Sequence, residues 1–135
     1  MNYKQMLEET EQAVARLQQL NKEMPILVEG EKDVHALRQL GMTGEILTVH
    51  AGCNLVDFCD GVARRYEAVV ILTDWDKQGG RLSAVIRKNL GGRTRCLTEF
   101  RALFARSSMV KDVEGLPSFL HSMRQKVGHP RPWER

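Results

Sequence analysis

The stretch EAVVILTDWDKQGGRL, residues 67–82, joins the most apolar segment of the chain to a dense group of acidic and glycine residues. Its first part, EAVVIL, has the aliphatic character of a strand buried in a parallel sheet. TDWD, residues 73–76, ends the predicted strand with two acids, Asp74 and Asp76. The helical pattern KQGGRLSAVIRKNL follows them. A buried strand, an acidic turn and a helix in this order predict one βα unit of an α/β fold.

The same alternation extends to both sides of this stretch. Strands are predicted over residues 25–30 (PILVEG), 45–52 (EILTVHAG), 67–76 and 93–98 (RTRCLT), and helices over residues 31–41, 54–66 and 77–92. Strands that alternate with helices form parallel sheets, and their crossover connections are right-handed. The sequence therefore predicts a Rossmann-like α/β fold, in which helices flank a four-stranded parallel sheet.

The 135 residues amount to one domain's worth of chain, in which we expect three parts. Residues 1–23 form an amphipathic helix, residues 24–98 the α/β domain, and residues 99–135 a helical extension with a flexible, basic tail. Helices of the extension are predicted over 99–106 and 112–127, with Pro117 as an alternative start for the second. The N-terminal helix could mediate dimerisation, or its apolar stripe could pack on the chain's own sheet.

Composition excludes several classes of protein. Hydrophobic residues make up 42% and charged residues 27% of the chain, which is typical of a globular domain rather than a disordered one. The three cysteines form no CxxC pair, which argues against a disulfide framework and a zinc ribbon. No apolar run approaches the length of about 20 residues that a bilayer requires, and the N-terminus lacks the pattern of a signal peptide. We expect a cytoplasmic protein without membrane contacts.

Acidic residues stand at the ends of two predicted strands. Glu29 ends the first strand, and Asp74 and Asp76 end the third. Ligands of such folds bind at the carboxyl ends of the strands, so neighbouring strands would bring the three carboxylates together there. Because like charges repel, the group calls for a cation, and Mg²⁺ takes oxygen ligands and bridges to phosphates. For any one of these acids a helix N-cap is the simpler role, and Asp76 before KQGG suits it.

Basic residues accompany these acids. Lys32, Lys77 and Arg81 could hold phosphate nearby, and His50 could approach one. Six basic residues and no acidic one fall between Lys77 and Thr98. Local charge of this kind suits a polyanion such as nucleic acid, although a solvated basic helix face would have the same pattern.

Two segments together resemble the Toprim signature. They are ILVEGEKD, residues 26–33, and ILTDWDKQGGRL, residues 71–82, and the matching positions are Glu29, Asp74, Asp76 and Gly79. Gly52 in VHAGCN, residues 49–54, matches the family's glycine turn after its second strand. The resemblance covers roughly residues 24–98.

The Toprim resemblance implies an α/β domain that binds Mg²⁺, with Mn²⁺ as a substitute, to make or break phosphodiesters in nucleic acid. It implies a general acid or base role for Glu29 and metal binding by Glu29, Asp74 and Asp76. Gly52 and Gly79 would then lie at the phosphate-binding turns with Lys32, Lys77 and Arg81.

Several activities of the Toprim family require parts that this sequence lacks. Topoisomerases need a tyrosine nucleophile on a separate domain, primases and recombination mediators carry zinc modules, and the ATPase-linked nucleases carry a nucleotide-binding loop. The small stand-alone Toprim proteins remain, and the chain resembles the ribonuclease that matures 5S ribosomal RNA. We therefore expect a Mg²⁺-dependent nuclease, with RNA favoured over DNA as substrate. The alternative is a non-catalytic nucleic-acid-binding module within a larger processing or repair complex, and a protein partner or homodimer stays open.

Overall fold

The computed structural model describes residues 2–49 and 52–128. Over these residues the chain forms six helices and four strands, in the order α1 (Tyr3–Asn21), β1 (Ile26–Val28), α2 (Glu31–Gln39), β2 (Ile46–Thr48), α3 (Leu55–Arg65), β3 (Ala68–Ile71), α4 (Lys77–Leu90), β4 (Arg95–Leu97), α5 (Glu99–Ser107) and α6 (Leu116–Val127). The four strands form one parallel sheet. This confirms the predicted α/β class with a four-stranded parallel sheet flanked by helices.

The order of the strands across the sheet is β2-β1-β3-β4. The first strand is central, and Ile26 lies opposite both Ile46 of β2 and Val70 of β3. The chain thus winds outward from β1 in one direction to β2 and then in the other direction to β3 and β4. The point between β1 and β3 is where the strand order reverses, and parallel α/β sheets bind ligands at such a point.

Two apolar cores cover the two faces of the sheet. On one face, α1, α2, α5 and α6 pack against β1, with Leu17, Phe100 and Phe104 fully buried. On the other face, α3 and α4 pack through Cys59, Val62 and other aliphatic residues. The N-terminal helix and the C-terminal extension therefore share one core with the α/β domain, and the apolar stripe of α1 is buried within the chain itself.

The helix boundaries follow the predicted pattern closely, whereas the strands are shorter than predicted. The third strand ends at Ile71, so the prediction that Asp74 and Asp76 share a strand end is wrong. Both residues lie in the loop before α4, because that helix begins at Lys77 and uses Asp76 as its N-cap. The last helix begins at Leu116, next to the alternative start at Pro117. The predicted tail, from 129 onward, and His50 lie outside the described residues.

Candidate functional site

Glu29 and Asp74 meet at the carboxyl ends of β1 and β3. The main-chain N–H of Asp74 donates a hydrogen bond of 2.8 Å to Oε2 of Glu29. Pairing of the two strands continues past the end of β3, because the N–H of Leu72 donates to the carbonyl of Leu27 at 2.8 Å. This pairing fixes the loop after β3 beside the residue that follows β1. The sheet therefore brings together two of the three acids that the sequence singled out.

The environment of the Asp74 carboxyl group disfavours its charged form. Partial burial raises its pKa from 3.8 to about 7, and the negative charges of Glu29 and Asp33 add to the effect. A hydrogen bond of 3.4 Å from the N–H of Val113 to Oδ1 opposes it only in part. Carboxyl groups whose pKa is displaced by burial and by like charges occur often at functional sites.

A third acid, Asp33, belongs to the same group. It lies in the first turn of α2 with only 8% of its surface exposed, and its Oδ2 accepts a hydrogen bond of 3.2 Å from the N–H of Gly30. Burial raises its pKa, and the charges of Glu29, Glu114 and Asp112 contribute. We call Glu29, Asp33, Asp74, Asp112 and Glu114 the acidic cluster. The sequence analysis missed Asp33, although the sequence places this acid in the first turn of the predicted helix that follows Glu29 and Gly30.

The loop between α5 and α6 brings the last two members of the cluster to the site. The carbonyl of Lys111 accepts a hydrogen bond of 3.1 Å from the N–H of Trp75, and the carbonyl of Val110 accepts one of 2.6 Å from Nε1 of the indole. The Trp75 ring packs against Phe104 with 5.5 Å between centroids. These contacts of Trp75 span 29 to 36 residues of sequence, and contacts at such separations leave no local signal.

Asp76 has a different role from its two neighbours in the predicted triad. Its Oδ1 accepts a hydrogen bond of 2.7 Å from the N–H of Gly79, which is the N-cap interaction of α4. Within residues 2–49 and 52–128, no three His, Cys, Asp or Glu side chains converge into a complete set of metal ligands. The helix-cap role, which the sequence offered as the simpler reading of this acid, is the one that its contacts display.

Gly79 is required by the close approach of α4 to the loop. A Cβ at this position would lie 1.9 Å from the carbonyl oxygen of Asp74, and the hydroxyl of Thr73 donates a hydrogen bond of 2.7 Å to the carbonyl of Gly79. Only a residue without a side chain lets the first turn of α4 pack on the loop that carries Asp74. The spacing of Asp74, Asp76 and Gly79 in the sequence thus has a structural reason.

Arg101 of α5 holds the backbone of the same loop. Its Nε donates hydrogen bonds of 3.1 and 3.2 Å to the carbonyls of Thr73 and Asp74, and its Nη2 donates one of 2.8 Å to the carbonyl of Asp74. The sequence analysis did not single out this arginine, because nothing in the pattern of α5 distinguishes it from Arg106. A cavity of about 270 Å³ lies beside it, lined also by Trp75 and Arg87.

The remaining predicted site residues surround the cluster at the surface. Lys32, in the first turn of α2, and Lys77 and Arg81 of α4 are all exposed. Gly52 is exposed and adopts φ +79°, a left-handed conformation that favours glycine. Lys32 lies in the first turn of the helix that follows β1, and Lys77 begins the helix that follows β3. Neither lysine forms an ion pair with the acids in the described part of the chain.

The donor chemistry of the pair Glu29 and Asp74 fits Mg²⁺. Hard divalent cations bind carboxylate oxygens, and Mg²⁺ keeps several waters and uses only one or two protein carboxylates with substrate phosphates. Burial is the largest cause of the raised pKa of Asp74, and a cation would also relieve the repulsion from Glu29 that adds to it. Glu29 and Asp74 are therefore the residues that would hold such an ion.

No family model matches the chain. The fold and the acidic cluster define an α/β protein with a candidate site where the strand order reverses. A protein from Aquifex aeolicus has a similar structure, with a TM-score of 0.67 and 22% sequence identity. The match covers 76% of this chain and 94% of that protein.

Sequence comparison identifies the family. The UPF0292 protein of Methanosarcina acetivorans is 30% identical over 132 residues, which cover 93% of this chain and 90% of that protein. The UPF0292 protein of Pyrococcus furiosus is 32% identical over 131 residues, which cover 96% of this chain and 97% of that protein. The chain belongs to the UPF0292 family. No helix in residues 2–49 and 52–128 is long and apolar enough to cross a membrane.

Proposed function

We propose that this protein performs Mg²⁺-dependent phosphodiester chemistry on nucleic acid, with endonucleolytic cleavage of RNA as the favoured reaction. The observation that carries the proposal is the half-buried contact between Glu29 and Asp74 where the strand order reverses. Burial, together with the charge of Glu29, raises the pKa of Asp74 to about 7, and holding this carboxyl group there costs stability, which suggests a use beyond folding. The resemblance to Toprim proteins names the same two residues.

In this proposal each acid has a separate task. When bound, Mg²⁺ would neutralise phosphate charge and activate a water oxygen for attack on phosphorus. Asp74 would supply an oxygen ligand, and Asp76 could add its Oδ2, since its Oδ1 caps α4. Glu29 would orient the loop through Oε2, which accepts the N–H of Asp74, and its Oε1 would take a proton from the attacking water. As the new P–O bond forms, the P–O bond to the leaving oxygen would break, and that oxygen would take a proton from solvent.

The surroundings of the acids suit a phosphate backbone. Lys32 and Lys77 are exposed beside the acids, and Arg81 follows one turn later on α4. Each cation that neutralises a phosphate releases counterions, which gives affinity without sequence preference. RNA rather than DNA is proposed as the substrate because the chain resembles the ribonuclease that matures 5S ribosomal RNA.

Cleavage assays test the proposal directly. The purified chain is incubated with total cellular RNA and, separately, with duplex DNA, with and without Mg²⁺. We expect Mg²⁺-dependent cleavage that Glu29→Gln and Asp74→Asn abolish. Glu23→Gln, which neutralises an exposed acid in the turn before β1, is the matched control and should cleave normally. Cleavage by both site variants at the rate of the control would refute the proposal.

A second candidate function is nucleic-acid binding without catalysis. The observation in its favour is that Asp76 caps α4 and that the described residues hold no complete ligand set. It predicts binding whose affinity falls steeply with salt, with no turnover and with no loss of affinity in Glu29→Gln. Multiple turnover of RNA or DNA by the isolated chain would exclude it.

A further inference from the structure

We infer that the outer edge of β2, which pairs with no further strand among the described residues, is the interface of a homodimer, in which two copies of the chain pair their β2 strands antiparallel about a two-fold axis. This inference is independent of the proposed function. A groove of about 450 Å³ runs along this edge of the sheet. We call it the edge groove, and its central lining consists of Val34, Ile46, Thr48, Phe58, Gly61 and Val62.

The edge groove is open to both faces of the sheet. Val34 belongs to α2, which packs on one face, and Phe58 belongs to α3, which packs on the other. Ile46 and Leu47 of β2 alternate between these two faces and are only half-buried, whereas the residues of β1 are fully buried. The groove thus exposes an apolar strand with a helix on each side.

The backbone of β2 can accept a further strand. The register pairs Leu47 with Leu27, and the bonds on either side run from Ile26 N–H to the carbonyl of Glu45 at 3.1 Å and from Val49 N–H to the carbonyl of Val28 at 2.9 Å. Because residues of a parallel strand bond alternately to its two sides, Ile46 and Thr48 direct their N–H and C=O groups away from β1. An edge strand with such groups is a template for strand addition.

A two-fold axis at Leu47 makes this edge complementary to itself. In an antiparallel pair centred there, Ile46 of one copy lies opposite Thr48 of the second copy, and these are the residues whose outward groups are available. Both would form hydrogen-bonded pairs, with four new backbone hydrogen bonds in total. The same axis aligns the two α3 helices antiparallel on one face of the joined sheet.

The charges of α3 fit that arrangement. Asp57 and Arg65 line opposite ends of the edge groove, and they stand eight residues apart, about 12 Å along the helix. They are too far apart to pair within one helix. Arg65 forms an exposed ion pair of 3.7 Å with Glu45 of its own chain. Across the two-fold axis, Arg65 would also face Asp57 of the second copy, and this contact would occur twice, so these two positions are charge-complementary between copies.

Gly61 lies midway between Asp57 and Arg65 in α3, and the choice of glycine there favours close packing of a second helix. Glycine inside a helix destabilises it relative to alanine, and the conformation here does not require glycine, since α3 is regular and φ is not positive. A Cβ added at Gly61 would meet no atom of the described chain within 4 Å. No atom in the described part of the monomer therefore requires the absence of a side chain at Gly61. A second α3 helix crossing antiparallel at this point would require it.

The oligomeric state tests this interface. We expect light scattering to give twice the mass of the chain at micromolar concentration, and sedimentation to give a defined dissociation constant. Gly61→Leu has room in the monomer, so it should keep the helical circular dichroism and lose the dimer. Ala15→Leu places the same side chain on the exposed face of α1 and should stay dimeric. A monomeric wild type, or a dimer that Gly61→Leu leaves intact, would overturn the inference.

A charge exchange identifies the pairing itself. Asp57→Arg and Arg65→Asp alone place like charges opposite each other, and each should weaken the dimer by about tenfold or more. The double variant restores opposite charges across the axis and should recover most of the affinity. Because the two residues cannot reach each other within one helix, recovery would have to be intermolecular. Additive weakening in the double variant would count against this interface.

Discussion

The side chain of Glu29 accepts a hydrogen bond of 2.8 Å from the backbone N–H of Asp74, a residue 45 positions later in the sequence. This hydrogen bond orders the loop after β3, and it also holds the carboxylate of Glu29 against the backbone of Asp74, which carries the second carboxylate. Burial and this charge raise the pKa of Asp74, so the loop is ordered at an electrostatic cost. A cation at this point would remove the cost, which links folding of the loop to the proposed chemistry.

The stability of the protein should depend on pH in a defined direction. Asp74 has a pKa of about 7 when folded against 3.8 as the ordinary value, so the folded chain binds the proton more tightly between those values. Stability therefore falls as pH rises from about 4 to about 7. Urea unfolding at pH 5 and pH 8 should give the lower free energy of unfolding at pH 8. Asp74→Asn should reduce this difference and be the more stable protein at pH 8; an unchanged difference would contradict the assigned cause.

Mg²⁺ should stabilise the folded chain through the same pair of acids. A ligand that binds only the folded state raises the midpoint of thermal unfolding as its concentration exceeds the dissociation constant. We expect this increase at pH 8 for the wild type and for Glu23→Gln, relative to KCl of equal ionic strength. Glu29→Gln and Asp74→Asn should show little increase. Equal increases in all four proteins would mean that Mg²⁺ binds elsewhere.

The sequence predicted the fold better than it predicted the site. Hydrophobic periodicity and glycine stops are local signals, and they predicted the order of strands and helices along the chain. The order of the strands across the sheet carries no such signal, so the neighbourhood of β1 and β3 was only a condition of the predicted site. The error about Asp76 lay in the end of β3, which was predicted at residue 76 and lies at Ile71, whereas α4 begins at Lys77 as predicted. Asp33 lies four residues after Glu29, in the first turn of α2, and was readable from the sequence. Arg101, in contrast, reaches the site through tertiary packing across 27 residues of sequence. No local pattern marks such contacts.

Gly79 and Gly80 offer a matched pair of substitutions in the first turns of α4. Gly79→Ala would put Cβ 1.9 Å from the carbonyl oxygen of Asp74, so the helix must shift, and we expect a loss of about 3 kcal/mol or more. Gly80→Ala meets only Nη2 of Arg101 at 3.4 Å and should gain roughly 0.5 kcal/mol from helix propensity. Chemical denaturation of the two variants measures both values. Equal stabilities would show that α4 does not pack tightly on the loop.

Arg101 should matter more to the site than Arg106, although both belong to α5. The guanidinium of Arg101 bonds the carbonyls of Thr73 and Asp74 from two nitrogens, whereas Arg106 makes one exposed ion pair of 3.8 Å with Glu9. A lysine cannot reproduce a forked donor, so Arg101→Lys should cost about 1–3 kcal/mol. Arg106→Lys should change stability by less than about 0.5 kcal/mol.

The same pair of variants separates anchoring of the loop from general stability. If Arg101 fixes the carbonyl of Asp74, its loss should weaken Mg²⁺ binding at a temperature where the variant is still folded, because the carboxylate is then held less firmly against Glu29. Calorimetric titration with Mg²⁺ at that temperature should give weaker binding for Arg101→Lys than for Arg106→Lys. Equal affinities would mean that the arginine supports α5 packing without positioning the acid, because the loop would then keep its geometry through the Glu29 contact alone.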